Sequence, residues 1–81
     1  MITIYSTNNC MKCKMTKDLF SKLGQDYNEI NIEEQPEVIP YIKEELGYSS
    51  LPIVVLDNGT HWNDFRVDKI RQAAKQLSSQ G

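Results

Sequence analysis

The sequence predicts an α/β fold: three helices and a mixed four-stranded sheet, in the order β-α-β-α-β-β-α. Three observations carry this expectation. Short β-branched runs alternate with helical apolar stripes, which implies a parallel βα arrangement with a right-handed crossover. The run "IVVL" (Ile53 to Leu56) is apolar throughout, as expected of a central strand covered on both faces. Asn58-Gly59 then leads to a further strand with no helix between, so the last pair should be an antiparallel hairpin.

The first strand is "ITIY" (Ile2 to Tyr5), β-branched and aromatic. From Met11 to Leu23 the residues Met15, Leu19 and Leu23 recur at helical spacing with Phe20 beside them, and Gly24 supplies the stop. "YNEINI" (Tyr27 to Ile32) alternates, with Ile30 and Ile32 on one face, and reads as the second strand. Pro36 suits a first helical turn, and Val38, Ile39, Ile42 and Leu46 continue a stripe that Gly47 ends. Pro40 inside that segment either kinks the helix or marks its true start. Asn58-Gly59 is a type I′ turn signal leading into a fourth strand near Thr60 to Trp62. Ile70, Ala73, Ala74 and Leu77 mark the last helix, which begins near Val67.

Eighty-one residues make one domain, 1–81, with no repeat, linker or low-complexity segment. A net charge of −2 argues against nucleic acid as a partner, because phosphate binding needs clustered positive charge. No apolar run approaches membrane-spanning length, and Met1 leads into "ITIY" without a signal-like segment. The chain is therefore expected to be soluble, cytoplasmic and monomeric, with no nucleic-acid or membrane partner.

The chemistry lies in "TNNCMKCKM", which holds both cysteines, Cys10 and Cys13. A crosslink between residues this close closes too small a loop to be a useful staple. The pair falls between the first strand and the first helix, where unpaired backbone N–H groups carry partial positive charge. Lowering a thiol from a pKa of about 8.5 to about 7 takes about 2 kcal/mol, which a partly buried helix terminus can supply. Cys10 is then the attacking thiolate and Cys13, one turn on, the resolving thiol. Lys12 and Lys14 add exposed, screened charge. Two inert buried thiols would leave both the spacing and the helix-start position as coincidence. A zinc site would need ligands beyond two cysteines and the distant His61, so no metal is expected within one chain, and a metal- or cluster-binding module, with a site shared between subunits, stays as the lesser alternative.

With this CxxC, "SSLPIVVLDNG" and "HWNDFRVDKI" in place, the chain resembles the glutaredoxin/thioredoxin superfamily, and within it the NrdH-redoxins, over essentially its whole length. The resemblance implies a minimal thioredoxin fold, no bound cofactor, and a Cys10–Cys13 pair cycling between dithiol and disulfide. It implies electrons from NADPH through thioredoxin reductase, passed to class Ib ribonucleotide reductase. Pro52 would match the cis-proline beside the active site, exposing Leu51 to an extended partner segment. Thr7 and Asn8 depart from a common Lys and Pro, Asn63-Asp64 from Ser/Thr-Gly, and Val67 from Pro.

Glutathione-binding glutaredoxins typically carry Gly-Gly and an acidic residue where this chain has "HWNDFR". Bulky Trp62 and Phe65 should bar a small peptide that glycine would admit, so a protein reductant is favoured over the glutathione-dependent alternative. The candidate partner surface comprises Met11, Lys12, Leu51, Pro52, Trp62, Phe65 and Arg66. Trp62 and Phe65 suit docking and core packing equally, Arg66 suits a local pair better than a partner carboxylate, and Met11 suits the rim of the site. His61 reads as a strand residue, and Glu33, Glu34, Glu44 and Glu45 as solvated faces.

Overall fold

The computed structural model describes residues 1–80, with side chains as far as residue 77. Strands β1 (Ile2–Ser6), β2 (Tyr27–Asn31), β3 (Ile53–Leu56) and β4 (His61–Asn63) form one sheet in the order β2-β1-β3-β4. β1 runs parallel to β2 and antiparallel to β3, and β3 runs antiparallel to β4. The helices are α1 (Met11–Lys22), α2 (Tyr41–Leu46) and α3 (Val67–Gln80). The predicted element order and mixed sheet are both present.

Register explains the core. Ile4 stands opposite Val54, and Val54 opposite Trp62, so one line of side chains crosses three strands. Together with Ile2 and Leu56 this face packs against Phe20 of α1 and Ile70 and Ala73 of α3. Burying each large apolar side chain contributes about 1.5–3 kcal/mol against the entropy of ordering the chain. On the other face Tyr5 meets Tyr41 of α2, with ring centroids 6.2 Å apart.

Four expectations are corrected. The buried stripe of α1 is Cys13, Thr16 and Phe20, whereas Met15 and Leu23 are exposed. The helix is turned so that its first-turn cysteine, not its methionine, faces inward. Thr16 tolerates this burial because its hydroxyl donates to the Lys12 carbonyl at 2.9 Å.

Pro40 satisfies both readings at once. Its backbone stays right-handed helical (φ −58°, ψ −39°), yet a 3₁₀ turn, Pro36–Val38, ends before it and the π-wound α2 begins after it. Gly47 at φ 75° closes that helix, donating its N–H to the Ile42 carbonyl.

The hairpin is not type I′, which requires two left-handed residues. Only Gly59 is left-handed there, at φ 89°. Gly59 N–H donates to the Leu56 carbonyl (3.0 Å), and Leu56 N–H to the Thr60 carbonyl (2.8 Å), making a three-residue loop. The extra residue shifts β4 to His61–Asn63, one position beyond the expected strand. At its far end β2 stops at Asn31, although Ile32 still donates to the Ser6 carbonyl at 2.9 Å.

Candidate active site

β1 delivers the chain to the site and α1 carries it away. Between them Asn9 takes a left-handed turn at φ 55°, a conformation asparagine tolerates better than most residues. This aims Cys10 into the N-cap position of α1, with extended backbone at φ −116° and ψ 103°. Its Sγ accepts the Cys13 N–H at 3.2 Å, and its carbonyl accepts the Lys14 N–H at 3.1 Å. Sulfur thus occupies the place a serine or aspartate oxygen takes in an ordinary N-cap.

Cys10 and Cys13 form a disulfide across a Cα–Cα distance of 5.2 Å. The two sulfurs are not equivalent: Cys13 is 1% exposed, whereas Cys10 is only partly buried. No acidic residue stands in the first turn of α1 to oppose a thiolate. The Lys12 ammonium, 3.0 Å from Asp64, is directed to that carboxylate.

Leu51-Pro52 is a cis peptide, with Pro52 buried at the head of β3. The Pro52 carbonyl accepts the Asp64 N–H at 2.8 Å, which fastens the loop after β4 to the proline. Leu51 and Cys10 line one apolar groove of about 330 Å³ with Ile32, Ile39 and Ile42. A second, more polar groove runs from Cys10 past Met11 and Lys14 to Lys17. Thr7, Asn9 and Cys10 border both, so the Thr7–Asn9 loop is the ridge between them.

The expected partner residues therefore divide. Met11 (70% exposed) and Leu51 line the grooves beside Cys10, Lys12 lies between the cysteines, and Pro52 follows Leu51 at the head of β3. Trp62 is buried in the core cluster, and no described residue offers its Nε1 a hydrogen-bond partner. Phe65 is half-buried against the same cluster. Arg66 is paired locally, its Nε and Nη2 donating to the two Asp68 carboxylate oxygens at 3.3 and 3.2 Å. His61 lies in β4, its Nδ1 2.8 Å from the Tyr48 hydroxyl. Among the described residues no cluster of three or more His, Cys, Asp or Glu could hold a metal ion, and no helix is long and apolar enough to cross a membrane.

Trp62 is packed inward and does not overhang the site. The residue that stands where the resemblance calls for glycine is Asp64, left-handed at φ 73°. Its carboxylate accepts the Phe65 N–H at 2.8 Å as well as the Lys12 ammonium, and these two contacts, in that order, hold its pKa below the usual range. Asp64, not Trp62, is therefore the residue that faces the disulfide side of this loop through its contact with Lys12.

Two further residues escaped the sequence reading. Glu33 reaches back to the Thr7 hydroxyl and the Asn8 N–H, and these bonds lower its pKa, the Thr7 contact most. Asn31 donates from Nδ2 to the Asn8 side-chain oxygen at 2.9 Å. A carboxylate in the turn after a strand carries no sequence signal that distinguishes it from a solvated face.

A disulfide whose outer sulfur caps a helix, with its partner sealed beneath, can take up and give back one electron pair through the outer atom. Fold and site together define a thiol–disulfide oxidoreductase. The chain belongs to the glutaredoxin family, whose model, described as Glutaredoxin, matches residues 2–62, and within it to the NrdH-redoxins. It is 39% identical to the glutaredoxin-like protein NrdH of Lactococcus lactis subsp. cremoris (strain MG1363), over 91% of this chain and all of the relative. Identity to the Escherichia coli (strain K12) NrdH is 34%, over 88% of this chain and 85% of that one. The solved structure of Escherichia coli NrdH-redoxin superimposes with a TM-score of 0.81, covering 88% of this chain and 91% of the other, at 34% identity. A glutaredoxin from Archaeoglobus fulgidus superimposes at 0.75 and 26% identity, over 88% and 82% of the two chains.

Proposed function

We propose that this chain is a cytoplasmic electron carrier, reduced by thioredoxin reductase at the expense of NADPH and oxidised by class Ib ribonucleotide reductase. The observation that carries the reading is the asymmetry of the disulfide: Cys10 is accessible at the helix cap and Cys13 is sealed. The likeness to Escherichia coli NrdH-redoxin, described as having a thioredoxin-like activity profile, supports a reductase rather than glutathione as the source.

In the reduced protein the Cys10 thiolate, stabilised by the Cys13 N–H and the helix start, attacks one sulfur of the target disulfide. A mixed disulfide forms and the first target thiolate leaves. Cys13 then gives up its proton, attacks the Cys10 sulfur and expels the second target thiolate. Two electrons have passed to the target, and Cys10–Cys13 is again a disulfide. The apolar groove holding Leu51 gives an extended target segment a place beside Cys10.

The test follows NADPH oxidation with a disulfide-bonded protein substrate, comparing thioredoxin reductase with glutathione plus glutathione reductase. Turnover with the former alone is expected; turnover with glutathione alone refutes the reading. Cys10→Ser should abolish turnover, and Cys13→Ser should accumulate a mixed disulfide with the target.

A further inference from the structure

The Thr7–Asn9 loop does more than connect β1 to α1. It is the ridge between the two grooves that flank the reactive sulfur, and it delivers Cys10 into the N-cap conformation from which Sγ accepts the Cys13 N–H. A connection of this kind, with a left-handed asparagine in it, holds one conformation only if something outside it fixes its polar groups. The turn after β2 does this.

Asn31, the last residue of β2, starts that turn: its carbonyl accepts the N–H groups of Glu34 (3.1 Å) and Gln35 (3.0 Å), and its Oδ1 accepts the Glu33 N–H (2.9 Å). The turn is thereby set so that the Glu33 side chain folds back towards the active-site loop. Its Oε2 accepts the Thr7 hydroxyl (2.5 Å) and the Asn8 backbone N–H (2.7 Å). The Asn31 Nδ2 meanwhile donates to the Asn8 Oδ1 at 2.9 Å. Asn8 is thus gripped at its main chain by one residue of the turn and at its side chain by another, two positions before the nucleophile.

From this geometry we infer that Glu33 is a positioning residue for Cys10. It touches neither sulfur. It acts by locking the Thr7–Asn9 ridge, which keeps Cys10 in the extended cap conformation and keeps both grooves open around it. When the clamp is removed, the capped conformer is populated less, and the Cys10 thiolate loses part of its hydrogen bond to the Cys13 N–H. The thiol pKa then rises, and less of the protein is reactive at neutral pH. Approach of the target disulfide also becomes less well aligned.

The test uses the full chain, reduced chemically beforehand, so that it depends on no particular reductase. The variants are Glu33→Ala, Glu33→Gln and Thr7→Val. Two quantities are read: the second-order rate with a chromogenic aromatic disulfide, and the Cys10 pKa from the pH dependence of its alkylation. Thermal melts run alongside. Glu33→Ala is expected to lower the rate by about threefold to tenfold, the effect of losing one or two exposed hydrogen bonds to a charged acceptor, and to raise the Cys10 pKa. Glu33→Gln keeps an acceptor oxygen and should recover part of both changes. Thr7→Val removes one of the two donors and should fall between the parent and Glu33→Ala, which reads the same clamp from its other side even if Glu33→Ala folds poorly. A parental rate and a parental pKa in Glu33→Ala would overturn the inference. So would a loss of rate that follows the melting temperature while the Cys10 pKa stays fixed, because Glu33 would then act on stability alone.

Discussion

Replacing Trp62 by phenylalanine should leave both stability and turnover almost unchanged, although Trp62 is the only tryptophan in the chain. The side chain is 5% exposed and sits among Phe20, Val54, Ile70 and Ala73. Its Nε1 is buried with no hydrogen-bond partner among the described residues. An unsatisfied buried donor of this kind costs about 1–3 kcal/mol. Phenylalanine removes the donor and keeps a six-membered ring in the core. The volume it gives up costs about 1–3 kcal/mol in lost burial and cavity. The two terms offset, so Trp62→Phe should lie within about 1 kcal/mol of the parent. Trp62→Ala has no such offset of shape and should cost about 3 kcal/mol or more. In a domain this small that lowers the melting temperature by about 12 °C or more. Urea melts followed by far-ultraviolet circular dichroism measure both variants, since the indole signal disappears with the residue. Steady-state turnover with a protein disulfide then separates packing from docking. A KM for the protein substrate that rises severalfold in Trp62→Phe, at parental stability, would mean that the indole is a contact surface and the burial argument is wrong.

Other outcomes follow from single contacts. The Glu29 carboxylate accepts the Lys17 ammonium (2.7 Å) and the hydroxyl of buried Ser6 (2.7 Å), and these bonds, Lys17 first, lower its pKa. The folded value is below the unfolded one, so this stabilisation is complete above the unfolded carboxylate pKa and is lost as pH falls through the folded value. Partial exposure holds it to about 1 kcal/mol or less. Urea melts at neutral pH and at about pH 3 should show the loss, and Lys17→Met should shrink that difference, the remainder belonging to the other carboxylates with lowered pKa, Glu33 and Asp64 among them. Gly59→Ala should cost about 1 kcal/mol, because φ is 89° and a Cβ there meets no atom within 4 Å, leaving backbone strain as the only penalty. A parental melting temperature in that variant would mean the loop can re-form around a residue with negative φ.

The parts of this molecule that were legible in sequence are those set by chemistry local to the chain. "ITIY", "YNEINI" and "IVVL" each read as strands because side-chain pattern and β-branching agree there. The CxxC read as a redox pair because its place between strand and helix gives a sulfur the unpaired N–H groups of the first turn. Orientation about the axis of α1 was less legible: Met15 and Leu23 are as apolar as any core residue, but the buried face carries Cys13, Thr16 and Phe20 instead. Threonine looks polar until its hydroxyl is spent on the helix's own backbone. Asn58-Gly59 marked the position of the turn but not its type, which one extra residue decided. Glu33, Asn31 and Asp64 were illegible as site residues, because each acts on a segment at least 23 residues away or on a lysine across the site. Such contacts exist only after the sheet has brought the loops together.

The unequal exposure of the two sulfurs bears on traffic as well as on chemistry. Cys13 is buried, which leaves Cys10 as the sulfur of the pair that another molecule can reach. The molecule has one port. In the proposed cycle, the protein that charges it and the protein that discharges it therefore use the same face in turn. The proposed transfer is then a shuttle with two separate encounters per cycle, and a large excess of either partner should slow it by occupying the berth that the other needs.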